Sequence, residues 1–215
     1  MRGGHVDLNL LRHQAPLPET ADEVCAVAAS LKAQDSSLLL GNRASEAMLK
    51  GLSERGELAS YSILHFATHG ALGGEIGKGS EPGLILNPPE VASELDDGYL
   101  SASEIANLKL DAGWVILSAC NTAASGTGDN EALSGLARSF FYAGARSMLV
   151  SHWAVDSAAT VKLVTGAVAA MAAEPSLGRA EALQHAMILL IDKGAPEQAH
   201  PAFWAPFVVA GEGAT

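Results

Sequence analysis

Two reactive side chains stand at the ends of two apolar runs of this chain. His69 follows the run 61–68, and Cys120 follows the run 114–119. A cysteine thiolate is a strong nucleophile when a histidine lies beside it as a base. The sequence therefore offers the two parts of a nucleophilic site, provided that the fold brings them together.

The elements around these side chains are suited to bringing them to one place. Both runs are rich in β-branched and aromatic residues and end in small residues, which is typical of buried strands that stop at a loop. The C-terminal ends of parallel strands meet at one edge of a sheet, where ligands bind. Gly70 has no side chain beside its amide, so we expect the amides of Gly70 and Cys120 to form an oxyanion hole.

The other thiol and imidazole groups are expected to be structural. Cys25 lies beside Val24 in a predicted helix, so we expect an inert core residue, and His65 should face the packed interior from within its strand. His65 and His69 would lie about 13 Å apart on an extended strand, which is too far for one metal ion. The chain has no HExxH or CxxC pattern, so we expect neither a metal nor a cofactor.

The composition excludes several classes of protein. Hydrophobic residues make up 48% of the 215 residues and charged residues 17%, which predicts one domain with a substantial core rather than a disordered chain. The formal net charge of −11 argues against binding to nucleic acid. Two cysteines, no apolar run of membrane-spanning length and no signal-peptide pattern predict a cytoplasmic protein without a disulfide framework or membrane contact.

Predicted strands and helices alternate along most of the chain, which indicates an α/β fold with a mostly parallel sheet covered by helices on both faces. Two capping boxes are predicted, Thr20 with Glu23 and Ser101 with Glu104, and Pro206 suggests that the last strand lies at an edge. The predicted strands are 38–40, 61–69, 83–87, 114–120, 147–153 and 204–210, and the predicted helices are 17–32, 45–52, 101–108, 131–144, 156–173 and 177–193.

Three segments are expected to lie outside this regular pattern. Residues 1–16 have the composition of a connector or of the remnant of an upstream region, which places the domain at 17–215 and is consistent with a fragment of a longer protein. The stretch 71–89 is rich in glycine and proline, and a long loop beside a reactive side chain is often functional. We expect little to order this stretch or the polar loop 121–130.

Five motifs occur in an order that resembles the CHAT domain, a caspase-like family often linked to tetratricopeptide repeats. The resemblance implies a caspase-like three-layer sandwich. It places a catalytic dyad on His69 and Cys120, whose separation of 51 positions is close to the caspase spacing of about 50. It also implies cleavage of protein substrates without a metal or cofactor, controlled by upstream repeats or a partner protein. The motifs span residues 65–70, 117–122, 131–138, 142–147 and 151–156.

The same resemblance identifies positions that line the pocket for the residue before the cleaved bond. In caspases these are the position two before the cysteine and the position directly after a tryptophan, which here are Ser118 and Ala154. Both are small and uncharged, so we expect cleavage after an uncharged residue such as Leu or Met rather than after Asp. Asp156 would favour Lys or Arg if its carboxylate turned into the pocket, and its alternative role is to cap the following helix.

Two other functions remain open at the level of the sequence. The fold could serve as a catalytically silent module that holds a protein partner, although the presence of both dyad residues argues against it. A nucleotide-binding α/β domain is the third interpretation. It is weakened because no lysine follows the glycine-containing segment 126–128 in the position that a phosphate-binding loop requires.

Overall fold

The order of helices and strands follows an α/β pattern. The computed structural model describes residues 6–118, 130–153 and 156–212. Its helices are α1 (Leu8–Arg12), α2 (Pro18–Ser30), α3 (Glu46–Glu54), α4 (Ala102–Ala106), α5 (Asn130–Ala143), α6 (Ser157–Ala173) and α7 (Arg179–Lys193). Its strands are β1 (Ile63–Phe66), β2 (Gly70–Ala71), β3 (Gly83–Ile85), β4 (Tyr99–Ser101), β5 (Trp114–Leu117), β6 (Ser147–Ser151) and β7 (Phe207–Gly211).

A four-stranded sheet in the order β1-β5-β6-β7 forms the centre of the described part of the chain. Strands β1, β5 and β6 run parallel to one another, whereas β7 returns antiparallel to β6 at the edge. The register pairs Phe66 of β1 with Leu117 of β5. The predicted α/β fold with a mostly parallel sheet is confirmed, and so is the edge position that Pro206, just before β7, suggested.

Helices cover both faces of this sheet, and each layer encloses its own apolar core. On one face α2, α6 and α7 pack over Trp114, Ile116 and Leu149. On the other face α3, α4 and α5 enclose Val115 and Leu117. Successive residues of β5 alternate between the two cores, as the pleat of a strand requires. None of the helices listed above is both long and apolar enough to cross a membrane.

A second sheet anchors much of the glycine-rich stretch 71–89. In this sheet β3 pairs antiparallel with both β2 and β4. Ile76 and Leu84, the latter in β3 itself, are almost fully buried, at 3% and 1% exposure. The expectation that little orders this stretch is therefore wrong, because its apolar side chains are part of the core. The other predicted loop, 121–130, lies outside the described residues except for its last residue.

Residues 6–16 pack against this second sheet. Leu11 of α1 is buried in a core cluster with Tyr99 of β4. The guanidinium of Arg12 donates to the two carbonyl oxygens of the segment 89–90, at 2.7 and 2.9 Å. The described part of the N-terminal segment therefore contributes to the core, while the proposed domain boundary stays a prediction.

The start of α2 differs from its prediction. The helix begins at Pro18, whose fixed φ suits the first helical position, and its N-cap Leu17 has no capping side chain. Thr20 and Glu23 therefore lie inside the helix, and the capping box predicted for them is wrong. The second predicted capping box, formed by Ser101 and Glu104 at the start of α4, is confirmed.

The segment Leu38–Leu40 is extended but forms no strand with the described residues. It lies between two short 3-10 turns, at Asp35–Ser37 and Gly41–Arg43. A strand exists only where a neighbouring strand takes up its backbone hydrogen bonds, and no described strand does so here. The predicted strand at 38–40 is therefore wrong in this structure, although its backbone conformation is that of a strand.

Candidate active site

Strands β1 and β5 end side by side at the edge where the sequence predicts the active site. The amide of Ser118, just beyond β5, donates to the carbonyl oxygen of Phe66 at 3.2 Å. His69 follows Phe66 by three positions, and Cys120 follows Leu117, the register partner of Phe66, by the same number. Cys120 itself lies outside the described residues, so the structure defines the position of one member of the predicted dyad.

The imidazole of His69 is held by a backbone carbonyl from the N-terminal segment. Its Nε2 atom lies 2.7 Å from the carbonyl oxygen of Ala15. A carbonyl oxygen only accepts hydrogen bonds, so Nε2 carries the proton in this contact. The neutral ring then has its lone pair on Nδ1, which is the atom able to accept a proton from a thiol.

The amide of Gly70 points away from the strand with which β2 pairs. Gly70 lies opposite Leu84 in the antiparallel ladder, and the amide of Ile85 donates to the carbonyl oxygen of His69 at 2.9 Å. This pattern makes Gly70 and Leu84 a non-hydrogen-bonded pair, so the N–H of Gly70 faces the outer edge of β2. The β2–β3 ladder therefore does not use this donor, and Gly70 itself is a buried residue.

Behind the strand ends lies a buried polar cluster formed by Glu23, His65 and Ser118. The Nε2 atom of His65 lies 2.9 Å from Oγ of Ser118 and 3.0 Å from Oε1 of Glu23. The second contact is close, but its angles are not those of a hydrogen bond. The side chains of His65 and Glu23 are 6% and 2% exposed. The cluster links α2 to β1 and to the end of β5, two positions before Cys120.

The comparison with protein families agrees with the observed fold. The family model of the CHAT domain matches residues 6–212, which is nearly the whole chain. The chain belongs to the CHAT domain family. This family is caspase-like and is grouped with peptidases, which is consistent with the central sheet flanked by helices. A search of curated proteins finds no match.

The specificity positions predicted for this CHAT domain have different surroundings. The hydroxyl of Ser118 is bonded to His65, and the residue is 5% exposed. The carboxylate of Asp156 accepts from the amide of Ala159 at 2.9 Å and so caps α6. Ala154 lies outside the described residues. The two described positions therefore each have a hydrogen-bond partner within the domain.

The prediction for Cys25 is wrong. Cys25 is exposed on the surface of α2, whereas Glu23 and Val27 of the same helix face inward. Val24, the apolar neighbour of Cys25, is itself only partly buried, so it does not mark the inner face of the helix. Burial therefore gives no protection to this thiol.

Glu46 of α3 is a buried carboxyl whose pKa is strongly raised. Burial raises the pKa of Glu46 to about 7, against the opposing effect of its contact with Lys50. The carboxylate also accepts from the amides of Asp97 and Gly98, at 2.8 and 3.2 Å. Lys50 in turn bonds Glu104 of α4 at 2.9 Å. These contacts join α3 to α4 and to the turn at residues 97–98. We therefore assign the Glu46 carboxyl a structural role.

One feature of the site, the partner of His69, has no signature in the sequence, whereas the buried position of Glu23 has one. The contact from His69 to Ala15 uses a backbone carbonyl, which any residue at that position would supply. The spacing of Glu23 from Thr20 fits a capping box, which is why the sequence predicts one there. Its inward position among the apolar residues of α2 is the signal that could have identified a buried carboxylate. No group of three His, Cys, Asp or Glu side chains converges as a metal site within the described ranges.

Proposed function

We propose that this CHAT domain is a cysteine endopeptidase that uses His69 and Cys120 as its dyad. The observation that carries the proposal is the pairing of Phe66 with Leu117, because it starts the two dyad segments from adjacent positions on neighbouring strands. The fixed ring of His69 and the outward amide of Gly70 support it further.

The proposed reaction uses the two nitrogens of His69 differently. Nδ1 takes the proton from the thiol of Cys120, and the thiolate attacks the scissile carbonyl carbon. The positive charge that forms on the ring is stabilised at Nε2 by the carbonyl of Ala15. Nδ1 then gives its proton to the leaving amine, and the amides of Gly70 and Cys120 donate to the oxyanion. Water, losing its proton to Nδ1, releases the acyl group and restores the thiol.

The experiment is turnover of a fluorogenic peptide library by wild type, His69→Ala and Cys120→Ala. We expect each substitution to lower kcat/KM by at least about 10³-fold, and the double variant to be no worse than either one, because residues that act as a unit are not additive. Cys25→Ala is the matched control, since it removes the other thiol of the chain and should retain full activity. Turnover that survives in His69→Ala would contradict the proposed base.

Labelling with a peptidyl acyloxymethyl ketone separates the peptidase from the silent interaction module. A peptidase forms a covalent adduct at Cys120 that His69→Ala prevents. A module without turnover gives no adduct under any condition that keeps the protein folded. Thermal stabilisation by ATP or GTP would instead favour the nucleotide-binding interpretation, for which none of the described contacts provides support.

We propose protein or peptide substrates cleaved after an uncharged residue, no cofactor, and control by upstream tetratricopeptide repeats or another partner protein. The use of only two cysteines, with Cys25 exposed, suits a reducing compartment and supports a cytoplasmic location.

A further inference from the structure

Ser118 is the residue at which the chain leaves the sheet on its way to Cys120, and it is bound to β1 twice. Its amide donates to the carbonyl oxygen of Phe66 at 3.2 Å, and its Oγ atom lies 2.9 Å from Nε2 of His65. The register of β5 with its other neighbour, β6, stops before the last residue of β5. These contacts therefore tie the end of the strand before Cys120 to β1.

The hydrogen bond between His65 and Ser118 has a defined direction. Oε1 of Glu23 lies 3.0 Å from the same Nε2 atom, whereas Nδ1 of His65 is buried and has no partner among the described groups. A proton on Nδ1 would leave a buried N–H group unpaired and would set the lone pair of Nε2 against the carboxyl oxygen of Glu23. The ring therefore carries its proton on Nε2, from which it donates to the hydroxyl oxygen of Ser118.

This polar cluster interrupts a row of apolar side chains. Trp114 and Ile116, alternate residues of β5, face the core that α2 covers, and Ser118 continues that row. His65 and Glu23 are buried on the same face. Well-packed apolar side chains in place of such a cluster are often neutral or stabilising, so stability alone does not account for it. What a hydrogen bond adds is a fixed distance and angle between the groups that it joins.

The cluster lies between the two segments that carry the proposed dyad. His65 is in β1, four positions before His69, and Ser118 is two positions before Cys120. A shift of about 1 Å at the end of β5 would separate the thiol from the imidazole, and a misplacement of that size can lower a rate about 10²-fold. The position of Ser118 therefore matters for the reaction, although its side chain is buried.

We propose that His65 is a positioning residue, whose Nε2–H group holds the hydroxyl of Ser118 and so fixes the point from which the chain runs to Cys120. Glu23 keeps the donor at Nε2 and holds the ring in this orientation. The inference rests on the proposed function, because it requires that His69 and Cys120 act together. Loss of the hydrogen bond then slows the chemical step and leaves the binding of substrate unchanged.

A second nucleophilic site formed by Ser118, His65 and Glu23 does not fit the geometry. In a serine triad the carboxylate binds one imidazole nitrogen and the serine faces the other. Here both groups lie beside Nε2, and Nδ1 has no described partner. Ser118 is also only 5% exposed, which leaves no room for a substrate carbonyl at its hydroxyl.

The first test compares substitutions that remove or keep the hydrogen bond. His65→Leu removes the donor at similar volume, His65→Gln retains an N–H group close to the position of Nε2, and Ser118→Ala removes the acceptor. With a fluorogenic peptide substrate, we expect kcat to fall at least about ten-fold in His65→Leu and Ser118→Ala, with KM within about two-fold of the wild-type value. His65→Gln should keep kcat within about three-fold of wild type. The double variant should be no worse than either single one, because both remove the same contact.

Ser147→Ala is the matched control for the loss of a buried hydrogen bond. Ser147 is a buried serine of the same sheet, and its Oγ donates to the carbonyl oxygen of Gly113 at 2.8 Å. It lies at the start of β6, at the edge of the sheet opposite to the candidate site. This variant should lose stability in urea unfolding and yet keep the wild-type kcat. Losses of kcat that follow the losses of stability in every variant, the control included, would mean that the cluster is only structural.

The second test does not depend on turnover. Iodoacetamide labels Cys120 and Cys25 in the same molecule, and Cys25, exposed on α2, is the internal reference. A thiol displaced from His69 loses reactive thiolate, so the ratio of the two labelling rates should fall in His65→Leu toward the value found in His69→Ala. His65→Gln should restore the ratio.

The two tests separate the positioning role from the proposed dyad. If His69→Ala changes neither turnover nor the labelling ratio, the dyad is wrong, and the positioning role with it. If His69→Ala lowers both but His65→Leu and Ser118→Ala lower neither, the dyad stands and the positioning role is refuted. A loss of kcat in His65→Gln as large as in His65→Leu would also refute it, since the donor would then be irrelevant. Ser118→Ala removes a single buried oxygen atom, so the test stays decisive if His65→Leu fails to fold.

Discussion

The Nε2 atom of His69 lies 2.7 Å from the carbonyl oxygen of Ala15, a residue 54 positions earlier in the chain. This contact fixes the protonated nitrogen and leaves Nδ1 as the basic atom. It also means that the segment before α2 is part of the candidate site.

Removal of residues 1–16 should lower kcat/KM by about 10²-fold, because His69 loses the acceptor that orients its ring. Removal of residues 1–5 alone should have no such effect. Leu11→Ala is the control for packing, since it deletes a buried side chain but keeps the carbonyl of Ala15. Full activity of the longer truncation in steady-state kinetics would show that the contact is not needed.

Cys120 should be alkylated faster than Cys25, although Cys25 is exposed. A histidine beside a thiol increases the fraction of reactive thiolate, whereas exposure alone does not. The measurement is brief treatment with iodoacetamide near pH 6.5, followed by peptide mass mapping of both sites. In His69→Ala the difference should disappear. Faster labelling of Cys25 in the wild type would refute the assignment of the nucleophile.

The Glu46 carboxyl should make stability fall as the pH rises from about 4.5 to 7. Burial raises its pKa in the folded state to about 7, above its ordinary value of 4.5, so the folded state binds the proton more tightly. The stabilisation is complete below about pH 4.5 and is lost as the pH rises through 7. Its size should be on the order of 1–3 kcal/mol.

Urea unfolding of the wild type and of Glu46→Gln between pH 5 and 8 tests this effect. The variant also removes the charge that faces Lys50 and Glu104, so the comparison reports the Glu46 carboxyl together with its effect on these neighbours. Hydrogen bonds from Lys50 and Ser101 hold the pKa of Glu104 below its usual range. Burial raises the pKa of Asp97. Contacts with Glu46 and Glu104 raise the pKa of Lys50. The stability of the wild type relative to the variant should decrease with pH. An increase would mean that the contact with Lys50 outweighs burial.

Glu23→Ala should destabilise the domain by about 2–4 kcal/mol, because it leaves a void and removes the carboxylate beside the buried His65. Glu19→Ala on the exposed side of the same helix is the matched control and should change the free energy of unfolding by less than about 0.5 kcal/mol. Chemical denaturation measures both. Equal effects of the two substitutions would show that the buried cluster does not contribute to stability.

Cleavage of a peptide library should occur after uncharged residues such as Leu or Met. The Asp156 carboxylate is engaged by the amide of Ala159, so it should not attract a basic side chain. Asp156→Asn retains a good helix cap and should leave the cleavage profile unchanged. A profile dominated by Arg or Lys in the wild type, and lost in Asp156→Asn, would place the carboxylate in the specificity pocket.

The sequence by itself predicted the features that depend on local patterns. Apolar periodicity predicted α5, β6, α6 and α7. The spacing of Ser101 and Glu104 predicted the cap of α4. Each of these signals depends on residues that are close together in the sequence. The same patterns predicted the strand that ends shortly before His69 and the strand that begins at Trp114. The alternation of strands and helices predicted the mostly parallel sheet.

Only the tertiary structure decided which partners distant groups find. The ring of His69 contacts a backbone carbonyl, which has no sequence signature, and Glu23 faces His65 on a strand 42 positions away rather than the start of its own helix. Leu38–Leu40 has the composition and backbone of a strand, yet it pairs with none of the described strands. Composition sets the conformation that a segment prefers, but a strand forms only when another strand satisfies its hydrogen bonds.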